Sequence, residues 1–131
     1  MNSTAACIGI TGLGQIAINA HDIDRATAFY RDKLGLRFLF TAGKLAFFDC
    51  GGLRLMLDVA EKPEFDHPSS ILYFSVPDIK AAHQQLLAQD VRFEDEPHVI
   101  ARMPDHDLWM TFFRDSEGNL LALMSELRHS Q

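Results

Sequence analysis

The chain has 131 residues, a formal net charge of −6, 47% hydrophobic and 23% charged residues, which is enough to bury the core of one domain. An acidic balance with no Lys/Arg stripe excludes phosphate-backbone binding as its business, and no apolar run approaches the roughly 20 residues that cross a bilayer. Cys7 and Cys50 make neither a disulfide framework nor a Cys-x-x-Cys pair, and residues 1–14 lack the pattern of a secretory leader, so a cytoplasmic, thiol-containing protein is expected.

The first predicted strand covers residues 16–19, after the glycine-rich approach 9–14. That approach precedes a strand rather than a helix start, so it lacks the context of a phosphate-binding loop. Asp22 is placed to accept from the free N–H groups of a first helical turn. Ile23, Ala26, Phe29, Tyr30 and Leu34 then recur at helical spacing, and Gly35 suits the left-handed residue that ends a helix. Three strands are predicted next, over 36–41, 45–49 and 53–59, with Gly43 and Gly51-Gly52 at the turns. Residues 61–70 carry Pro63 and Pro68 and read as a linker. A strand at 72–75 leads into a second helix begun by Pro77-Asp78, with Ile79, Ala82, Leu86 and Leu87 on its face and an end near Asp90. Strands are predicted again at 91–94, 98–103, 108–114 and 120–125, and the tail after Glu126 is left without structure.

This order is one pattern written twice. Asp22-Ile23 and Ala26 return as Asp78-Ile79 and Ala82, 56 positions later, and Leu36-Arg37-Phe38 returns as Val91-Arg92-Phe93. Gly52-Leu53 and the strand after it answer Gly118-Asn119 at an offset of 66, so the second copy gains about ten residues between its helix and last strand. The fold class expected is α+β: two βαβββ repeats, about 13–60 and 71–126 with a linker at 61–70, forming a cupped mixed sheet in a single domain over 1–131.

These signatures resemble the vicinal oxygen chelate superfamily of glyoxalase I, bleomycin-resistance proteins and extradiol dioxygenases. The resemblance rests on Gln15-Ile16-Ala17-Ile18 ahead of Asp22-Ile23, on Phe29-Tyr30 through Leu34-Gly35, and on Asp115-Ser116-Glu117-Gly118-Asn119. It implies a divalent metal held by His, Gln or Glu from four strands, at positions occupied here by Gln15, Met56, Ile71 and Ala122. Only Gln15 offers a hard donor, whereas such an ion needs three or more oxygen or imidazole ligands. The expectation is therefore no cofactor at the inherited site, which places isomerase and dioxygenase chemistry in doubt, since both rest on the metal as Lewis acid.

Strand alternation assigns Gln15, Met56, Ile71, Tyr73 and Ala122 to the lining of an apolar cup with polar handles, the usual make-up of a small-molecule site. His98, His106 and Trp109 are candidates to reach its mouth on the expanded hairpin. A filled core at the same positions is the competing expectation. An alternative function is a lyase or oxygenase-type enzyme with a divalent metal or acid/base site relocated to His98, Asp105 and His106. The expected partners are a small-molecule ligand and a second copy in a homodimer, with no nucleic acid and no membrane.

Overall fold

The protein is described by a computed structural model covering residues 8–9 and 11–129; the thiol expected at Cys7, and with it residues 1–7 and 10 of the stretch expected not to be a secretory leader, lie outside the described residues. The first unit is β1 (Gln15–Ala20), α1 (Ile23–Ala28), β2 (Arg37–Ala42), β3 (Leu45–Cys50) and β4 (Leu53–Val59). The second is β5 (Leu72–Ser75), α2 (Ile79–Ala88), β6 (His98–Arg102), β7 (His106–Arg114) and β8 (Leu120–Arg128). Each unit makes a four-stranded mixed sheet of the same order, β1-β4-β3-β2 and β5-β8-β7-β6, with the first strand parallel to the last. This is the α+β fold of two βαβββ modules expected from the repeat.

Both helices start as their sequences dictate. Asp22 Oδ1 accepts from Arg25 N at 3.1 Å, and Asp78 Oδ1 accepts from Ala81 N at the same distance, each satisfying a donor that the helix leaves free. They end differently. α1 widens into a π-turn over Phe29–Lys33, where Leu34 N reaches back to Phe29 O at 3.1 Å, and Gly35 follows at φ 73°. α2 has no glycine at that place, so Asp90 takes the left-handed conformation at φ 63°, one that costs an L-residue about 1 kcal/mol although Asp bears it better than most.

The strand predicted at 91–94 does not form as a sheet strand. Only Phe93 bridges to Phe113, and Asp95 then accepts from Phe112 N and the Thr111 hydroxyl, diverting the chain before β6 begins at His98. Part of the second unit's expansion is therefore this detour. Most of the remainder lengthens β7 to nine residues and the turn after it to 115–119, against 51–52 in the first unit. β8 also has nine residues and runs through Arg128, past the point where a loose tail was expected.

One face of each sheet is covered by its helix, and there the alternating apolar residues make a common core. Ile18, Phe48, Leu57, Phe113 and Leu121 are all at or below 1% exposure in it. Burying a side chain of this size contributes about 1.5–3 kcal/mol.

The two units are tied together by the Asp115–Asn119 turn. Asp115 is buried and accepts from the Tyr30 hydroxyl at 2.7 Å, from Glu117 N and Asn119 N, and from Asn119 Nδ2. The same Asn119 amide donates to Asn19 O at 2.7 Å. Glu117 accepts from the backbone N–H groups of His21 and Asp22 and pairs with Arg25 at 2.7 Å. Burial raises the Tyr30 phenol well above its ordinary range, and the Asp115 carboxylate raises it further, so the phenol remains a donor.

Candidate functional site

The uncovered faces of the two sheets carry the site. Register fixes which side chains line up across each. In the first sheet Ala17, Met56, Phe47 and Phe40 form one row from edge to edge. In the second, Tyr73, Ala122 and Phe112 form the corresponding row. The two rows are complementary in size at their repeat-equivalent positions. Ala17 beside Met56 is small then large; Tyr73 beside Ala122 is large then small. Phe40 stacks on Phe47 with centroids 4.5 Å apart, and Tyr73 meets Phe112 edge to face at 5.8 Å, arrangements that aromatic quadrupoles favour. Tyr73 is 44% exposed and Phe40 47%, so aromatic surface is presented outward on both faces.

Gln15 is exposed rather than buried, and its Nε2 donates weakly to Met56 Sδ at 3.6 Å. The four positions expected from the resemblance to correspond to metal ligands therefore divide into an amide turned to a thioether in the first sheet, and Ile71, just before β5, with Ala122 in β8. This donor set does not fit a divalent ion: a carboxamide, a thioether and two hydrocarbons supply one hard ligand between them. Among the described residues no three His, Cys, Asp or Glu side chains are grouped to hold a metal.

The hairpin candidates are not brought together. His98 faces Met110 across β6–β7, and His106 faces Arg128 at the far end of β7, about 13 Å along the strand from Met110 at ~3.3 Å per residue. His106 Nδ1 is taken by Asp105 at 2.7 Å and His98 Nδ1 by Glu96 O at 2.8 Å. A metal shared by His98, Asp105 and His106 is thus excluded by register. Trp109 lies on the other face: it has the parity of buried Thr111 and Phe113, packs against the core, and holds the Lys80 ammonium 4.8 Å from its ring centroid. It does not reach the cup.

The linker does what the hairpin was expected to do. It passes over the open face of the first sheet and borders a half-open cavity of about 660 Å³, with Ala17, Leu45, Met56 and Asp58 on the floor and Phe65 and Pro68 on the linker side. Ile71 and Leu120 line a neighbouring cavity on the other side of the same linker, which shares Asn19, His67, Pro68 and Ser69.

Phe47, Phe112 and Phe65 were not singled out from the sequence. The doublets Phe47-Phe48 and Phe112-Phe113 were the available signal, because consecutive strand residues point to opposite faces. Which member looks into the cup depends on register.

The model of the Glyoxalase/Bleomycin resistance protein/Dioxygenase superfamily matches residues 12–123. The chain belongs to this superfamily. Among solved structures it is similar to a lactoylglutathione lyase from Agrobacterium tumefaciens, at 26% identity and a TM-score of 0.67, over 88% of this chain and 94% of that one. A superfamily member from Sphaerobacter thermophilus gives 22% identity and a TM-score of 0.72, over 89% and 98%. A protein of the mobile metagenome of V. Pseudocholerae gives 20% and 0.73, over 95% and 99%. No curated protein matches. The superfamily makes sense of the Asp115–Asn119 turn and the Phe29-Tyr30 pair, two stretches 85 residues apart that meet in the hydrogen bond from Tyr30 to Asp115.

Proposed function

We propose that this superfamily member binds a small apolar or aromatic molecule in the cup, without the family's metal. The observation that carries this is the make-up of the open faces: exposed Phe40 and Tyr73 on them, with a thioether and two hydrocarbons at three of the four positions expected to hold an ion. Phe40, exposed and stacked on the buried Phe47, offers with Met56 a flat, polarizable contact, which suits an aromatic ligand. Gln15 is the polar handle. Among the described residues its amide meets only the Met56 sulfur and is otherwise open to solvent, so it is free to bond a ligand carbonyl or hydroxyl once the site is covered and water leaves.

The lactoylglutathione lyase relative lends its fold to this proposal and not its reaction, because the four ligand positions here cannot supply the metal on which that chemistry depends. The protein works as a homodimer, in which a second copy covers the faces and sheet edges that one chain leaves open.

The test is a fluorescence titration with N-phenylnaphthylamine, a neutral aromatic probe whose emission rises in apolar surroundings. Saturable binding that weakens in Met56→Glu and in Tyr73→Ala supports the proposal. Wild-type binding unaffected by either substitution refutes it.

A further inference from the structure

Among the described residues the linker's hydrogen bonds to the first unit all come from its Asp66–Ser69 end. Asp66 Oδ1 lies 2.8 Å from both Asn19 Nδ2 and His21 Nε2, and Ser69 Oγ accepts from Asn19 N at 2.7 Å. Asn19 is the node. Its N–H and side-chain amide hold the linker, while its carbonyl takes the Asn119 amide of the turn that joins the two units. That end of the linker is therefore fastened to the turn that ties the two units together.

The neighbouring stretch is different. Pro63–Phe65 forms a single short helical turn whose residues are all exposed. Phe65 lines the cavity yet leaves 59% of its surface in water, with only the Lys62 ammonium 6.0 Å from its ring centroid. A large apolar ring at the lip of a cavity that has Ala17, Leu45 and Met56 on its floor gains by moving onto an apolar molecule that fills it, because water leaves both surfaces. Among the described residues Phe65 is not part of the core cluster.

We propose that residues 61–70 act as a strap that closes over a ligand on the face of the first sheet. Asp66 and Ser69 form the latch and Phe65 the closing roof. This rests on the binding function proposed above. Opening the cavity requires the Asp66 contacts to Asn19 and His21 to break, so the latch governs how fast a ligand leaves. Phe65 sets how much apolar surface is covered on closing. The strap differs from the four inherited positions, none of which lies between residues 57 and 70.

Hydrogen exchange of residues 61–70 and stopped-flow release of N-phenylnaphthylamine test this in the full chain, comparing wild type with Asp66→Ala, Ser69→Ala and Phe65→Ala. The probe should slow exchange of 61–70 in wild type. Asp66→Ala should release the probe about tenfold faster, as expected when two hydrogen bonds are lost, and Ser69→Ala should act in the same direction. Phe65→Ala should weaken binding while leaving exchange of the unliganded strap unchanged. If the probe binds wild type but leaves exchange of 61–70 unaltered, or leaves Asp66→Ala and Ser69→Ala at the wild-type rate, the strap is refuted and the binding function stands. If the probe does not bind wild type, the binding function falls and the strap falls with it.

Discussion

At the scale of single residues, Glu117 carries more than its place in a surface turn suggests. Its side chain is 1% exposed, against 54% for its partner Arg25. Burial pushes its carboxyl up, but the Arg25 guanidinium and the N–H groups of Asp22 and His21 outweigh that and bring it from 4.5 down to about 2. A carboxyl whose pKa is lowered by folding contributes stability that is complete above its unfolded value and is lost as pH falls through the folded one. Acid unfolding should therefore show a contribution lost between pH ~4.5 and ~2 in wild type that is missing in Glu117→Ala. That substitution leaves two backbone N–H groups without an acceptor, so it should cost roughly 2–3 kcal/mol at neutral pH by urea unfolding. Tyr30→Phe should cost about 1–2 kcal/mol, because Asp115 loses one of its donors and keeps the other three. Motif spacing located these residues in the sequence. It did not disclose that Tyr30 and Asp115 touch, because that contact depends on how the two units pack.

At the scale of elements, the second helix was legible down to its missing glycine, and the consequence is specific. Asp90 occupies the left-handed position that Gly35 fills in the first unit. Asp90→Gly should raise stability by about 0.5–1 kcal/mol in urea unfolding. The first unit's strands follow from alternation and turn glycines, so their limits fall within a residue of those expected. The 91–94 segment does not follow, because its repeat counterpart 36–38 leads straight into β2, while here the Asp95 carboxylate bonds Thr111 and Phe112 and turns the chain aside. The face Trp109 takes was not legible for a related reason: alternation gives two faces and register alone says which is inward. Trp109 is the protein's one tryptophan. Its position beneath Lys80 predicts that its fluorescence stays unchanged when a non-absorbing ligand fills the cup. A shift on binding would place it nearer the site than the sheet register allows.

At the scale of the whole molecule, the two sheets end in strands with free edges. β1 and β5 each pair on one side only; beyond β1, Asn19 N and O are met by Ser69 and Asn119 side chains rather than by another strand. Free edges beside exposed Phe40, Ile71 and Tyr73 are surfaces that proteins pair or cover. Light scattering at micromolar concentration should give the mass of two chains, and the mass of one would oppose the dimer. The repeat made the architecture readable because each half checks the other, residue by residue. The site was readable only as a list of positions, since its chemistry lies in which face each doublet presents and in a linker whose path no periodicity encodes.

The central claim is that the cup binds an apolar ligand without a metal. Titrating N-phenylnaphthylamine into the protein before and after exhaustive treatment with a chelator tests both halves of it in one measurement. The account predicts saturable binding at one site per chain, identical in the two samples. Binding that disappears on chelation and returns with a divalent cation, or no saturable binding in either sample, would contradict it.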